Sequence, residues 1–308
     1  LAHSARFVIG TRGSPLALAQ AHEAQERLAA ALGLDVAALA LSVIKTTGDA
    51  IQDRPLSEAG GKGLFTKELD IALIEGAIDL AVHSAKDLPT AVPEGLAIAG
   101  YLSREDARDA FMSLKAGSLA ELPHGAVVGS ASLRRQAMVK RLRPDLRVTL
   151  LRGNVGTRLR KLEAGEVDAT LLAMAGLNRL GLAGHVTAPL ELDDFVPAVG
   201  QGAIAVVVRA SDEATRSAVA HICDAATGAA LAAERAFLAV LDGSCRTPIA
   251  GHARLSGGEL RFQGLVLRPD GSEAIEAARS GPADDAARIG RDAGLAVKGR
   301  MPPDFLVA

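Results

Sequence analysis

Apolar runs of strand length and stretches of helical spacing take turns along the first two-thirds of the chain. Residues 6–11 read as a strand. Ser14 and Pro15 then supply an N-cap and a first-turn proline for a helix running to about Leu32. Residues 38–46 are the next strand. Gly60, Gly61 and Gly63 break the pattern before a helix over 65–75, and strands follow at 80–83 and 96–102. The charged stretch 103–109 reads as a crossing segment. The pattern restarts with a strand at 126–129, a helix capped by Ser132 through Arg143, a strand at 146–151, a helix at 155–164 and a strand at 169–173. Residues 203–209, AIAVVVR, form a β-branched run typical of a buried strand. Two Ala-rich helices, about 212–225 and 229–241, lead to a hairpin of 250–256 and 259–267 around Gly257-Gly258. A helix near 283–297 closes the pattern. Strands alternating with helices predict layered α/β domains with mostly parallel sheets, which bind ligands beyond the C-terminal ends of their strands.

Composition narrows this picture. A length of 308 residues suits two or three domains, and 49% apolar residues are ample for packed cores. Two cysteines cannot make a disulfide framework, which points to a reducing compartment. No stretch reaches the roughly 18 apolar residues of a membrane span. Residues 1–6 lack the basic-then-apolar order of an export signal, so the cytoplasm is the expected compartment. Only 3% of residues are aromatic, with no Trp, which disfavours a single-strand nucleic-acid binder. The formal charge of −2 also argues against a nucleic-acid coat. That average hides an asymmetry. Residues 130–179 hold 11 Lys and Arg against 4 Asp and Glu.

The cations gather at strand-to-helix junctions. Four of these read Thr11-Arg12-Gly13-Ser14, His83-Ser84-Ala85-Lys86-Asp87, Gly129-Ser130-Ala131-Ser132 and Arg152-Gly153-Asn154. A helix start favours anions through its unpaired N–H groups, and arginine adds a two-pronged donor for carboxylates. A single arginine is usually a solvated cation, and a single serine an ordinary N-cap. The repetition, with Arg134, Arg135, Arg158 and Arg179 nearby, is what suggests an anion site. Neither glycine stretch fits a phosphate loop, and the seven histidines lack zinc-site spacing, so no metal is expected. Asp87 is either a salt-bridged loop carboxylate or one placed to accept N–H bonds and stabilise a positive intermediate. Cys245, in a loop beside Arg246, is either an inert thiol or one activated by its neighbour. Cys223 lies among apolar helix residues and reads as inert.

The motifs GTRGSPLALAQ, GGKGLFTKELD, DLAVHSAKDLPT, REDARDAF, VVGSASLRRQ, LRGNVGTRLRKL, AVGQGA, AAERAFL and GSCRTPI occur in the order seen in one enzyme family. On them the chain resembles the porphobilinogen deaminases, from about Arg6 onward and weakly past Ser256. The resemblance implies three domains. Two are α/β lobes of the type II periplasmic-binding-protein kind, 1–102 with 203–220 and 103–202, with crossings at 103–109 and 195–202. The third, 221–308, is a smaller α/β domain with an antiparallel sheet. It implies a transferase that condenses four porphobilinogen molecules head to tail, losing ammonia each time. Growth would occur on a dipyrromethane cofactor attached through Cys245 by a thioether. By motif match Asp87 would be the catalytic carboxylate. Arg134, Arg135, Ser130, Ser132, Lys86, Ser84, Arg158 and Gln201 would hold the cofactor. Arg12, Ser14, Arg152, Arg158, Arg179, Lys62 and Phe65 would meet the substrate. No nucleic acid, membrane or metal is implied, and a monomer is expected. Glu58 stands where several relatives carry Lys, and Ser130 replaces a common Thr while keeping the hydroxyl. A non-catalytic anion receptor on the same two lobes would leave Cys245 and the third domain unexplained.

Overall fold

The structure, a computed structural model, describes residues 7–50, 63–243 and 247–306. β1 (Phe7–Arg12) passes to α1 (Pro15–Leu32) at Ser14, whose hydroxyl accepts the Ala17 N–H at 3.2 Å. Gly33 ends that helix at φ 63°, where a side chain would be strained. β2 (Leu39–Ile44), the single turn α2 (Thr47–Ala50), α3 (Lys67–Ile74), β3 (Leu80–Ser84) and β4 (Leu96–Tyr101) follow. Next come β5 (Asp109–Ser113), β6 (Val127–Gly129), α4 (Leu133–Leu142), β7 (Arg147–Thr149), α5 (Val155–Glu163), β8 (Ala169–Ala173), α6 (Met174–Arg179) and β9 (Ala188–Pro189). The remainder is β10 (Ile204–Arg209), α7 (Glu213–Ala220), α8 (Ala225–Val240), β11 (Ile249–Ser256), β12 (Glu259–Leu267), β13 (Ala274–Pro282) and α9 (Ala286–Lys298).

Contacts divide the chain into two units. Among the described residues the first holds 7–50, 63–105 and 203–228, and the second 106–202, 229–243 and 247–306. Two of the divisions follow Glu105, within 103–109, and Gly202, the last residue of 195–202.

The first unit is built on a five-stranded sheet ordered β2-β1-β3-β10-β4. Ile9, Leu80, Val82, Val206 and Val208 from its strands pack with Ala21, Ala24 and Leu28 of α1 and Val219 of α7. The second unit repeats the arrangement as β7-β6-β8-β5-β9. Its strands bury both faces. Phe111 and Leu171 face a core shared with Ala137 and Met138 of α4, while Met112 and Leu172 join Leu159 and Leu162 of α5. Ala250, Leu265 and Leu267 enter the α4 core, so the three-stranded antiparallel sheet β11-β12-β13 packs within this unit. Gly257 and Gly258, both at positive φ, make the tight turn between β11 and β12.

The expected parallel pairing holds for β2-β1-β3 and β7-β6-β8. β10 and β5 run opposite to their neighbours. Both are the first strand after a division between units. Neither is reached through a helix crossing its own sheet, so the rule for parallel crossovers does not govern them. β5 and β13 are absent from the sequence-based pattern. β5 is a fully buried five-residue run beside a charged segment. β13 is made mostly of weak strand formers, and pairing with β12 along nine residues holds it in the sheet.

Candidate active site

In the first unit β1 and β3 run parallel, bringing Arg12 and His83 to the same end of the sheet. A hollow there is lined by Arg12, Ser14, Gln20, Phe65, His83, Ser84 and Asp87, among others. The Arg12 guanidinium lies 4.2 Å from the centre of the Phe65 ring, a cation–π contact, and its NH1 is 3.8 Å from Asp87 Oδ2. Asp87 ends the short 3-10 turn Ala85–Asp87 after β3, with its side chain 34% exposed. Lys86, half-buried, belongs to the same turn. The Ser84 hydroxyl is held by the Gln20 amide at 3.0 Å. His83 is buried, and its Nε2 has no hydrogen-bond partner among the described residues. Burial, then the Arg12 charge, push its pKa down to about 4, so the ring is neutral at neutral pH. A guanidinium, a carboxylate and a neutral imidazole therefore share one hollow. That set suits a ligand carrying both carboxylates and N–H donors.

In the second unit the strand-end serines act as caps. Ser132 accepts the Arg135 N–H at 3.4 Å, and Ser130, itself buried, accepts the Ser132 N–H at 3.2 Å. Each hydroxyl keeps its own proton to donate. Arg134 and Arg135 turn inward instead of into solvent. Arg134 donates to Asp109 Oδ2 at 2.7 Å and to the Val196 carbonyl at 2.8 Å. Arg135 donates to Asp109 Oδ1 through Nε at 2.9 Å and NH2 at 2.6 Å, and to the Leu171 carbonyl at 2.9 Å. The Gln201 amide donates to the same Asp109 oxygen at 3.0 Å and to the Ala107 carbonyl at 2.9 Å. Burial alone would raise the Asp109 carboxyl. The two arginines and the Gln201 hydrogen bond outweigh burial and hold it at about 2. Asp109 was missed in the sequence, where it closes a charged stretch. Its only signal is an acid set directly before an apolar run.

Two further arginines stand beside this group. Arg158 donates from Nε to the Gly153 carbonyl at 2.9 Å. Burial, then the charges of Arg135 and Arg152, push its pKa down to about 10. Arg179 donates to the Gly202 carbonyl at 3.2 Å. The structure thus gathers Arg12, Ser14, Phe65, Ser84 and Asp87 in one unit. It groups Arg135, Arg152 and Arg158 in the other, close enough for their charges to interact. Lys62, Glu58 and Cys245 lie outside the described residues.

Comparison with known proteins gives the family. The family model "Porphobilinogen deaminase, dipyromethane cofactor binding domain" matches residues 7–217, and "Porphobilinogen deaminase, C-terminal domain" matches 229–299. The porphobilinogen deaminase of Nitrobacter winogradskyi is 58% identical over 297 residues, covering 96% of this chain and 94% of the relative. That of Paracoccus denitrificans is 57% identical, covering 96% and 95%. A more distant likeness is to the BvgS VFT2 domain of Bordetella pertussis, 15% identical with a TM-score of 0.42, covering 70% of this chain and 85% of that one. With a family model spanning more than half of it and near-full-length relatives at this identity, the chain belongs to the porphobilinogen deaminase family.

Proposed function

We propose that this chain is a hydroxymethylbilane synthase of tetrapyrrole biosynthesis. It deaminates and joins four porphobilinogen molecules head to tail on a covalently bound dipyrromethane primer, then releases the product by hydrolysis. The observation that carries this reading is the crowding of Arg158 by Arg135 and Arg152. Burial and two neighbouring positive charges disfavour the charged form of Arg158, and a bound polyanion offsets that. Dipyrromethane and the chain grown from it fit this donor set, since every pyrrole ring bears an acetate and a propionate. When bound, the dipyrromethane supplies a nucleophilic α-carbon on a fixed anchor.

Each residue then has a task. Cys245 holds the primer through a thioether, which resists the hydrolysis that frees the product. Arg152, Arg158 and Arg179 bind ring carboxylates, helped by the hydroxyls of Ser130 and Ser132. Arg134, Arg135 and Gln201 support that region through Asp109, and the N–H groups they do not spend there serve the primer. In the other unit Arg12, Ser14 and Lys62 take substrate carboxylates, Phe65 offers a ring face, and Lys86 and Ser84 assist the primer. Asp87 acts on the reacting ring. Ammonia leaves with the C–N electron pair, and the pyrrole left behind is a delocalised cation. A carboxylate beside the pyrrole N–H stabilises that cation more than it stabilises the neutral ring, so it lowers the barrier. The same carboxylate helps move the proton lost when the new C–C bond forms. We place this enzyme in the cytoplasm as a monomer, in keeping with its two cysteines.

Asp87→Asn tests the assignment. Folding and the covalent mass excess should persist while porphobilinogen consumption falls by about 100-fold or more. Turnover close to wild type contradicts the role given to Asp87.

A further inference from the structure

Phe65 offers a ring face to the Arg12–Asp87 hollow, and that face carries the Arg12 guanidinium, 4.2 Å from the ring centre. The same guanidinium stands 3.8 Å from Asp87, beyond hydrogen-bonding distance. An arginine beside a carboxylate commonly closes on it as a two-pronged pair at about 2.8 Å. We propose that Phe65 is a positioning residue, its ring holding Arg12 off Asp87 so that neither charge closes on the other before porphobilinogen arrives. This rests on the function proposed above.

The ring is braced by its neighbours. Gly48, in the single turn α2, donates its N–H to the Leu64 carbonyl at 2.8 Å. A side-chain carbon at Gly48 would stand 2.4 Å from two carbons of the Phe65 ring, so glycine lets turn and ring meet this closely. Glu68 of α3 fixes that turn, its Oε1 accepting from the Thr47 N–H at 2.9 Å and from the Thr47 hydroxyl. The chemistry explains why such a brace matters. A close Arg12–Asp87 pair would engage the donors that a substrate carboxylate needs and the lone pairs that the pyrrole N–H needs. A ring face attracts the guanidinium without a carboxylate's lone pairs, so it anchors Arg12 without committing it to an ion pair.

The test compares wild type, Phe65→Tyr and Phe65→Leu as holoenzymes. A crystal structure of Phe65→Leu should show Arg12 closed on Asp87, with an N–O distance below about 3.2 Å. Its kcat/KM for porphobilinogen should fall by about fivefold, the worth of one cation–π contact. Phe65→Tyr keeps the ring face and should lose less than Phe65→Leu. With Arg12→Gln already in place, Phe65→Leu should not slow the first one-ring step in intact mass any further, because its effect runs through that guanidinium. An unmoved Arg12, an unchanged kcat/KM, or a Tyr variant no better than the Leu variant would overturn the proposal. So would a further slowing in the Arg12→Gln background, since the ring would then act on the substrate itself. A wild-type protein that leaves porphobilinogen unconsumed is a separate result. It would remove the function itself and this inference with it.

Discussion

Arg158 keeps its charge in a place where two other arginines raise the cost of keeping it. A bound anion would offset that cost. Arg158→Gln should therefore raise the KM for porphobilinogen by about tenfold, one charge-assisted contact being worth that much. In a Cys245→Ser background, which lacks the primer, it should not lower the Tm, because there it removes repulsion. A KM within twofold of wild type, or a clear loss of Tm, would show that Arg158 serves the fold. Wild-type KM should also rise with ionic strength, as expected for carboxylates bound by arginine at a partly solvated site. At this scale the sequence told which residue types matter but not where their hydrogen bonds go. Arg134 and Arg135 read as cofactor ligands, and the structure shows most of their donors spent on Asp109, Val196 and Leu171. Nothing in a linear sequence distinguishes an arginine facing a ligand from one facing a carboxylate 25 residues away.

Among the elements, Asp109 has the widest reach. It opens β5, receives α4 through Arg134 and Arg135, and receives the 195–202 stretch through Gln201. Removing one member of a buried ion group leaves charge uncompensated, so Asp109→Asn should lower stability by about 3 kcal/mol or more. The pH dependence has a definite sign. The Asp109 pKa is lowered on folding, from about 3.8 to about 2. Its stabilisation is complete above the unfolded value and is lost as pH falls through the folded one. Urea titrations between pH 5 and pH 2 should show a shallower acid limb for Asp109→Asn than for wild type. Identical limbs would contradict the assignment. Glu234 does similar work, accepting the Gly200 N–H at 2.7 Å and the Ala253 N–H at 2.8 Å and so joining α8 to β11. Element ends with strong local chemistry were legible beforehand. Ser14 and Ser132 cap their helices, and Gly257-Gly258 turns the hairpin. β13 was not legible, because its place depends on β12 and on the burial of Ile275 and Ala277, not on its own propensities.

For the whole molecule, the formal charge of −2 averages over regions of opposite character. The average argues against a nucleic-acid coat. It says nothing of the arginine group between 130 and 179, where the charges of Arg135 and Arg152 bear on Arg158. The two five-stranded sheets share one strand order, each with an antiparallel fourth strand that follows a division between units. Alternation along the sequence revealed the layers. The reversed strands did not show, since direction within a sheet is a property of the path and not of any segment. Among the described residues no helix is long and apolar enough to cross a membrane. The central claim is that a polycarboxylate chain grows on a primer fixed to Cys245. Intact-mass spectrometry of the purified protein, before and shortly after porphobilinogen is added, tests it most directly. The account predicts a resting mass above the sequence mass by two linked pyrrole units, further steps of one ring after addition, and loss of the excess in Cys245→Ser. An active protein at its plain sequence mass, or an excess that survives Cys245→Ser, would contradict it.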